Sequence, residues 1–139
     1  MRASILYRIS SVLILLFAIG HTLGFRKTDP SWGVDETLAT LKQTTFVLQG
    51  FHRNYYSFYV GSGLFVTVFM VLTAVIAWEL GRLTGATLAQ LPWLTWGLAL
   101  GYAGSLVISL RYFFMAPVIF SALIFLCLAA AAAVARRQH

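Results

Sequence analysis

The chain has 139 residues, of which 60% are hydrophobic and 10% charged, and its mean hydropathy is +0.83. Soluble domains carry about 25% charged residues, so this composition excludes a water-wetted globule and requires apolar runs that face lipid. The net charge of +6 does not point to nucleic acid, because the basic residues stand at the ends of apolar runs and form no stripe.

The first apolar run covers 5–25. Arg2 and Arg8 open it, and Ala18 and Gly20 imitate the small-x-small pattern of a signal-peptide cleavage site. The run continues past that pattern through Thr22, Leu23, Gly24 and Phe25, which predicts a retained span. The connection 26–54 follows. Thr28 to Gly33 reads as turn and loop, and Asp35 is placed to cap a helix with Glu36 at its positive end. Leu38, Leu41, Thr45 and Leu48 then recur at helical spacing, which predicts a short amphipathic helix lying on the membrane or capping the bundle.

A second span covers 55–80, a third 91–110 with Pro92 in its first turn, and a fourth 117–134 ending in Arg136 and Arg137. Each can cross a hydrocarbon layer of about 30 Å, which takes roughly 20 residues. The 79–90 connection reads as a short polar turn and 111–116 as a tight hairpin. The predicted fold is all-α and integral to the membrane: one domain, 1–139, forming a four-transmembrane-helix bundle with an amphipathic helix in its first loop. An even number of spans puts both termini on one side. Arg2, Arg8, Arg82, Arg136 and Arg137 on that side balance Arg26, Lys27, Lys42, Arg53 and Arg111 on the other. The first span usually sets orientation, so cytoplasmic termini in a bacterial inner membrane are expected.

Lipid supplies no hydrophobic drive for helices to associate, so small residues must permit close contact. Gly97, Gly101, Ser105 and Ser109 recur every fourth residue in the third span, widened by Gly104. They are expected to pack on a neighbouring helix, of this chain or of a partner. Gly61, Gly63 and the alanines at 129–133 fit the same purpose. Cys127, alone in the last span, reads as a small packing residue.

Ionisable groups in spans are costly and mark candidate sites. Hairpin topology gathers most of them at one end: His21, Thr22, His52, Arg53, Asn54, Tyr55, Tyr56, Tyr59, Arg111 and Tyr112, beneath the long first loop. The opposite end offers Arg8, Glu79 and Arg82. His21, flanked by Gly20 and Gly24, is the candidate catalytic or proton-transfer group. His52, Arg53, Asn54, Tyr56, Tyr59, Arg111 and Tyr112 are the candidate ligand-binding residues, with an arginine holding an anionic group and tyrosines lining an apolar slot. Belt tyrosines and a histidine bonded to a carbonyl remain the plainer reading of the same residues. Two histidines at facing span ends also admit a bis-histidine haem. No carboxylate lies near enough in sequence to complete a zinc or iron site, and no phosphate loop, nucleophile elbow or zinc-protease helix occurs. The cofactor is left open.

Tyr7-Arg8-Ile9-Ser10-Ser11 through Gly20-His21-Thr22-Leu23-Gly24-Phe25, with Tyr56-Ser57-Phe58-Tyr59-Val60-Gly61-Ser62-Gly63-Leu64-Phe65, resembles a family of small uncharacterised bacterial membrane proteins and, more loosely, DoxX-like four-helix proteins. The resemblance covers most of the chain. It implies a four-helix bundle with a polar site near His21 and the tyrosine-rich start of the second span, and it carries over no reaction. Sterol-isomerase bundles of the EXPERA type are similar in architecture only, since their acidic catalytic residues have no match here. The expected function is binding, with or without transformation, of an apolar small molecule such as a lipid, isoprenoid or quinone. The rival is an accessory or self-associating subunit that joins a partner through Gly97, Gly101 and Ser105. Transport is disfavoured, because mid-span charges and an inverted repeat are both missing from the sequence.

Overall fold

A computed structural model describes residues 3–137; Arg2, counted above among the basic flanks, lies outside the described residues. In chain order it shows α1 (Ala3–Gly24), a 3-10 turn (Pro30–Trp32), α2 (Asp35–Gln43), β1 (Thr45–Leu48), β2 (Phe51–Asn54), α3 (Tyr55–Leu80), α4 (Gly85–Ala89), α5 (Pro92–Tyr112) and α6 (Met115–Arg137). α1, α3, α5 and α6 are the four helices long and apolar enough to cross a membrane. The protein is an all-α, four-helix integral membrane protein with a small hairpin in its first connection.

The differences from expectation fall at element ends and in the loop. α6 starts at Met115, ahead of Pro117, because a proline within the first turn forfeits no intrahelical N–H bond. Val34 takes the N-cap of α2 with no side-chain bond, and Asp35 begins the helix beside Glu36, facing the positive end of the dipole rather than closing it. α2 also stops at Gln43, so Thr45 and Leu48 do not continue its face. They belong to an antiparallel ribbon in which Thr45 pairs with Asn54, Phe46 with Arg53, Val47 with His52 and Leu48 with Phe51. The run Thr44-Thr45-Phe46-Val47 is β-branched and aromatic, which favours extended backbone. Gln49 and Gly50 follow with φ of 51° and 83°, the positive pair that a two-residue hairpin turn demands. In the 79–90 connection the polar turn contains α4, capped by the Thr84 hydroxyl accepting the Thr87 N–H at 3.2 Å, and its Leu88 is 1% exposed.

The chain divides into two compact units, one running up to Ala18 and again from Met70 onward, the other Ile19–Phe69. The first holds the core. α1 turns Leu6, Tyr7, Ile14 and Ala18 inward, α3 Ala74 and Ala77, α5 Ala99 and Tyr102, and α6 Ile124, Leu128, Ala131 and Ala135. These positions repeat every three or four residues, the spacing of one helical face. Half of them are alanines, so the backbones themselves come close. Serine hydroxyls on the same faces bond within the bundle: Ser10 donates to the Leu6 carbonyl at 2.9 Å, Ser11 to the Ala74 carbonyl at 2.7 Å, and Ser105 meets Ser121 at 3.1 Å. Phe17 stacks on Phe120 at 5.2 Å.

The regular stripe on α5 divides between two surroundings. Ser105 and Ser109 pack inward, whereas a Cβ at Gly97, Gly101 or Gly104 would meet no atom within 4 Å among the described residues. Four residues advance a helix by about 40° beyond a full turn, so a strict four-residue repeat winds off one face onto another. Ala131→Leu is therefore expected to lower the thermal unfolding midpoint in detergent, by the equivalent of about 1–3 kcal/mol, while Gly101→Leu leaves it unchanged or raised. An undisturbed Ala131→Leu protein would contradict the packing of α6.

Candidate functional site

In the 19–69 unit the end of α1 is fastened to the start of α3. The ring of His21 bonds through Nε2 to the Gly63 carbonyl at 3.1 Å; since a carbonyl only accepts, Nε2 carries the hydrogen. Thr67 donates to the same carbonyl at 3.2 Å, and its hydroxyl meets that of Thr22 at 2.9 Å. Tyr59 donates its hydroxyl to the Phe25 carbonyl. That carbonyl is in the last turn of the α1 end, where no intrahelical N–H is on offer. The Phe25 ring stacks on His21 at 5.1 Å, tilts against Tyr59 at 5.9 Å, and lies against Gly63, where a Cβ would overlap it. Gly63 is thus the point of close approach, and His21 and Tyr59 are both engaged in the same fastening.

The remaining candidates gather where β2 runs into α3 without a linker. Asn54 caps α3: its Oδ1 accepts the Ser57 N–H and the Ser57 hydroxyl, both at 2.8 Å, while its Nδ2 donates to the Lys42 carbonyl at 2.9 Å. The Lys42 ammonium sits 4.7 Å over the Tyr56 ring, and Tyr56 lies 6.1 Å from Tyr59. His52 is exposed on β2 opposite Val47. Arg53 is exposed beside it, stacked 5.2 Å over Phe51 and donating one N–H to the His52 carbonyl at 2.7 Å. Arg111 and Tyr112 end α5 in the other unit, both exposed. In that same unit, Arg82 pairs with Glu79 at 3.2 Å on the surface and Arg8 lies 5.5 Å over Trp78.

Arg53 also borders a shallow cleft of about 170 Å³, lined further by Ser57, Phe58, Gly61, Ser62 and Phe65. Ser57, Gly61 and Phe65 are successive fourth residues and share a face of α3, with Phe58 and Ser62 beside them. Gly61 has no atom within 4 Å of a Cβ position among the described residues, so it opens the floor of the cleft and serves no helix contact. Apart from Arg53, these lining residues were missed as site residues in the sequence. Their signal was the alternation of small hydroxyl or glycine with phenylalanine, hidden inside an apolar span. Among the described residues no three histidines, cysteines or acids come together as a metal would require. No protein-family model, curated protein or solved structure matches the chain, so the DoxX-like resemblance rests on its motifs alone.

Two measurements test this geometry. Gly63→Ala must push the Phe25 ring off both His21 and Tyr59, and is expected to lower the unfolding midpoint; Gly61→Ala meets open space and should raise it or leave it unchanged. Equal effects would contradict the close approach. In the loop, hydrogen bonds from Ser31 hold the Asp29 carboxyl below the usual aspartate range, one of them from the Ser31 N–H at 2.8 Å. Because the folded value is the lower one, this cap is complete above the ordinary aspartate range and is lost only as pH falls through the depressed value. The Ser31 amide proton resonance should therefore titrate with a midpoint below that of a free aspartate.

Proposed function

We propose that the protein binds a membrane-borne amphiphile with an acidic head, a lipid or an isoprenoid, at the first-loop end of the bundle. The observation that supports the reading is the cleft that runs from Arg53 onto the face of α3. Pockets that enclose a whole small ligand measure about 300–1,000 Å³, so 170 Å³ suits a headgroup whose tail lies elsewhere. The exposed Phe65, at 67%, and Val68, at 62%, continue along α3 from the cleft, and in a membrane span they offer that tail a surface already in lipid.

The chemistry of the lining favours an acid over a quinone. A guanidinium has five N–H groups in a planar fork suited to carboxylate or phosphate, and Arg53 gives one of them to His52. Ser62 adds a hydroxyl to the lining, while the Ser57 hydroxyl is already given to Asn54. His21 is bonded to Gly63 and is not among the residues lining the cleft, so the reading is of binding rather than turnover. It places the protein in a bacterial inner membrane with cytoplasmic termini, in keeping with the basic start of the first span.

Native mass spectrometry of protein extracted in mild detergent tests the reading. The wild type should carry an acidic amphiphile, and Arg53→Gln should weaken its retention by about 10- to 100-fold, the loss of one charge-assisted hydrogen bond. Ser62→Leu, which fills the cleft without touching the charge, should do the same. Identical adducts on all three proteins would refute the cleft as the site.

A further inference from the structure

The hairpin of β1 and β2 is apolar where a solvent-exposed ribbon would be polar. Around its Gln49-Gly50 turn, Val47 is 61% exposed, Leu48 51% and Phe51 61%. A lone two-stranded hairpin is marginal in water, and this one leaves its hydrophobic residues exposed at the apex. Its base, in contrast, is fixed. Phe46 stacks on Phe58 at 5.9 Å and tilts against Tyr55 at 5.3 Å, and Asn54 ties the end of β2 to both Lys42 and Ser57.

Those contacts set the level of the hairpin relative to a membrane. Tyr55, Tyr56 and Tyr59 open a span, the position of an aromatic belt at the lipid–water interface, and Phe46 rests on the first of them. β2 passes into α3 with no intervening residue. A four-residue strand extends about 13 Å, so the apex is held within that distance of the point where α3 enters the bilayer. The headgroup layer is about 5–8 Å deep on each side. An apex so tethered reaches the acyl boundary from any orientation that leans towards the bilayer. The charges follow the same layering: none stands at the apex, while Lys42 and Arg53 stand at the base beside the belt tyrosines.

We infer that the β1–β2 hairpin is an interfacial membrane anchor, which inserts Val47, Leu48 and Phe51 at the acyl boundary and sets Lys42 and Arg53 among acidic phospholipid headgroups of the same leaflet. Cations at phosphate level above apolar side chains is the arrangement by which amphipathic segments hold to anionic bilayers. The partner is the bilayer itself, because it is already within reach of every apex residue and its charge complements the base. The anchor shares Arg53 with the proposed cleft but is carried by the exposed apex, and its test reads the apex alone.

Fluorescence in nanodiscs tests it. In a Cys127→Ala background, Leu48→Cys and, separately, Phe51→Cys carry an environment-sensitive nitrobenzoxadiazole label. The discs contain phosphatidylcholine with or without phosphatidylglycerol, and spin-labelled lipids quench from known depths. The expected result is blue-shifted emission at both sites, quenched more by shallow than by deep spin labels, and quenched at least two-fold more in the acidic discs. Two label sites guard against a substitution that unsettles the hairpin. Emission at the aqueous wavelength without quenching at either site overturns the anchor and would assign the apex to a soluble partner. Equal quenching in neutral and acidic discs overturns the acidic-lipid assignment.

Discussion

Within the hydrocarbon layer every backbone and hydroxyl hydrogen bond must be made inside the protein, and no hydrophobic force draws one helix to another. The helical core answers both demands with small side chains. Ala74, Ala77, Ala99, Ala131 and Ala135 are each no more than 1% exposed, which lets backbones approach until dispersion contacts between them accumulate. The serines among them spend their hydrogens at once, on Leu6, on Ala74 and on each other. Two buried donors lack that settlement: the Tyr7 hydroxyl and the Trp96 indole N–H have no partner among the described residues. The Thr95 hydroxyl is beside Tyr7, but it is directed to the Leu91 and Pro92 carbonyls, and no well-formed bond joins the pair. These two groups are the least satisfied part of an otherwise closed core.

The same demand shapes the other unit, with a different solution. There the helices meet through polar contacts rather than alanine: His21 and Thr67 on the Gly63 carbonyl, Thr22 on Thr67, Tyr59 on the Phe25 carbonyl. Each uses a group near the end of α1, where carbonyls lose their intrahelical donors. The fastening turns 56, 59, 63 and 67 of α3 towards α1. By helical geometry that leaves 57, 58, 61, 62 and 65 on another face, and this is the face on which the cleft lies. The contacts that join α1 to α3 therefore determine which face of α3 carries the cleft.

How much of this could be read from the sequence depended on the length of the signal. The four spans were legible because apolar runs of some twenty residues have no other stable solution, and α3 is bounded at 55 and 80 as expected. The first loop was less legible. Leu38 and Leu41 marked a true helix, but the same spacing carried on through Thr45 and Leu48 into a ribbon, since four or five apolar residues satisfy either period. The β-branched run and Gln49-Gly50 were the better guide. On α5 the exact four-residue repeat concealed the drift that separates Gly97 and Gly101 from Ser105 and Ser109. In the site, residue type drew attention to His21 and Tyr59, whereas the cleft is floored by Gly61, a residue with no side chain to notice.

Taken together, the polar residues of this protein divide by whether their hydrogen bonds are already spent. His21, Thr22, Thr67 and the serines of the core are committed to carbonyls or to one another, and Ser11, His21 and Thr22 tie one helix to another. Arg53 and Ser62 border open space instead, and Arg53 keeps most of its fork of donors beyond the one bond to His52. A committed group in a membrane resists exchange, because losing its partner leaves it unsatisfied in hydrocarbon. An exposed group at the interface exchanges water for a ligand at little cost. Histidine is the residue type that most readily suggests chemistry, yet here the uncommitted donors belong to an arginine on a short strand and a serine about two turns into a helix.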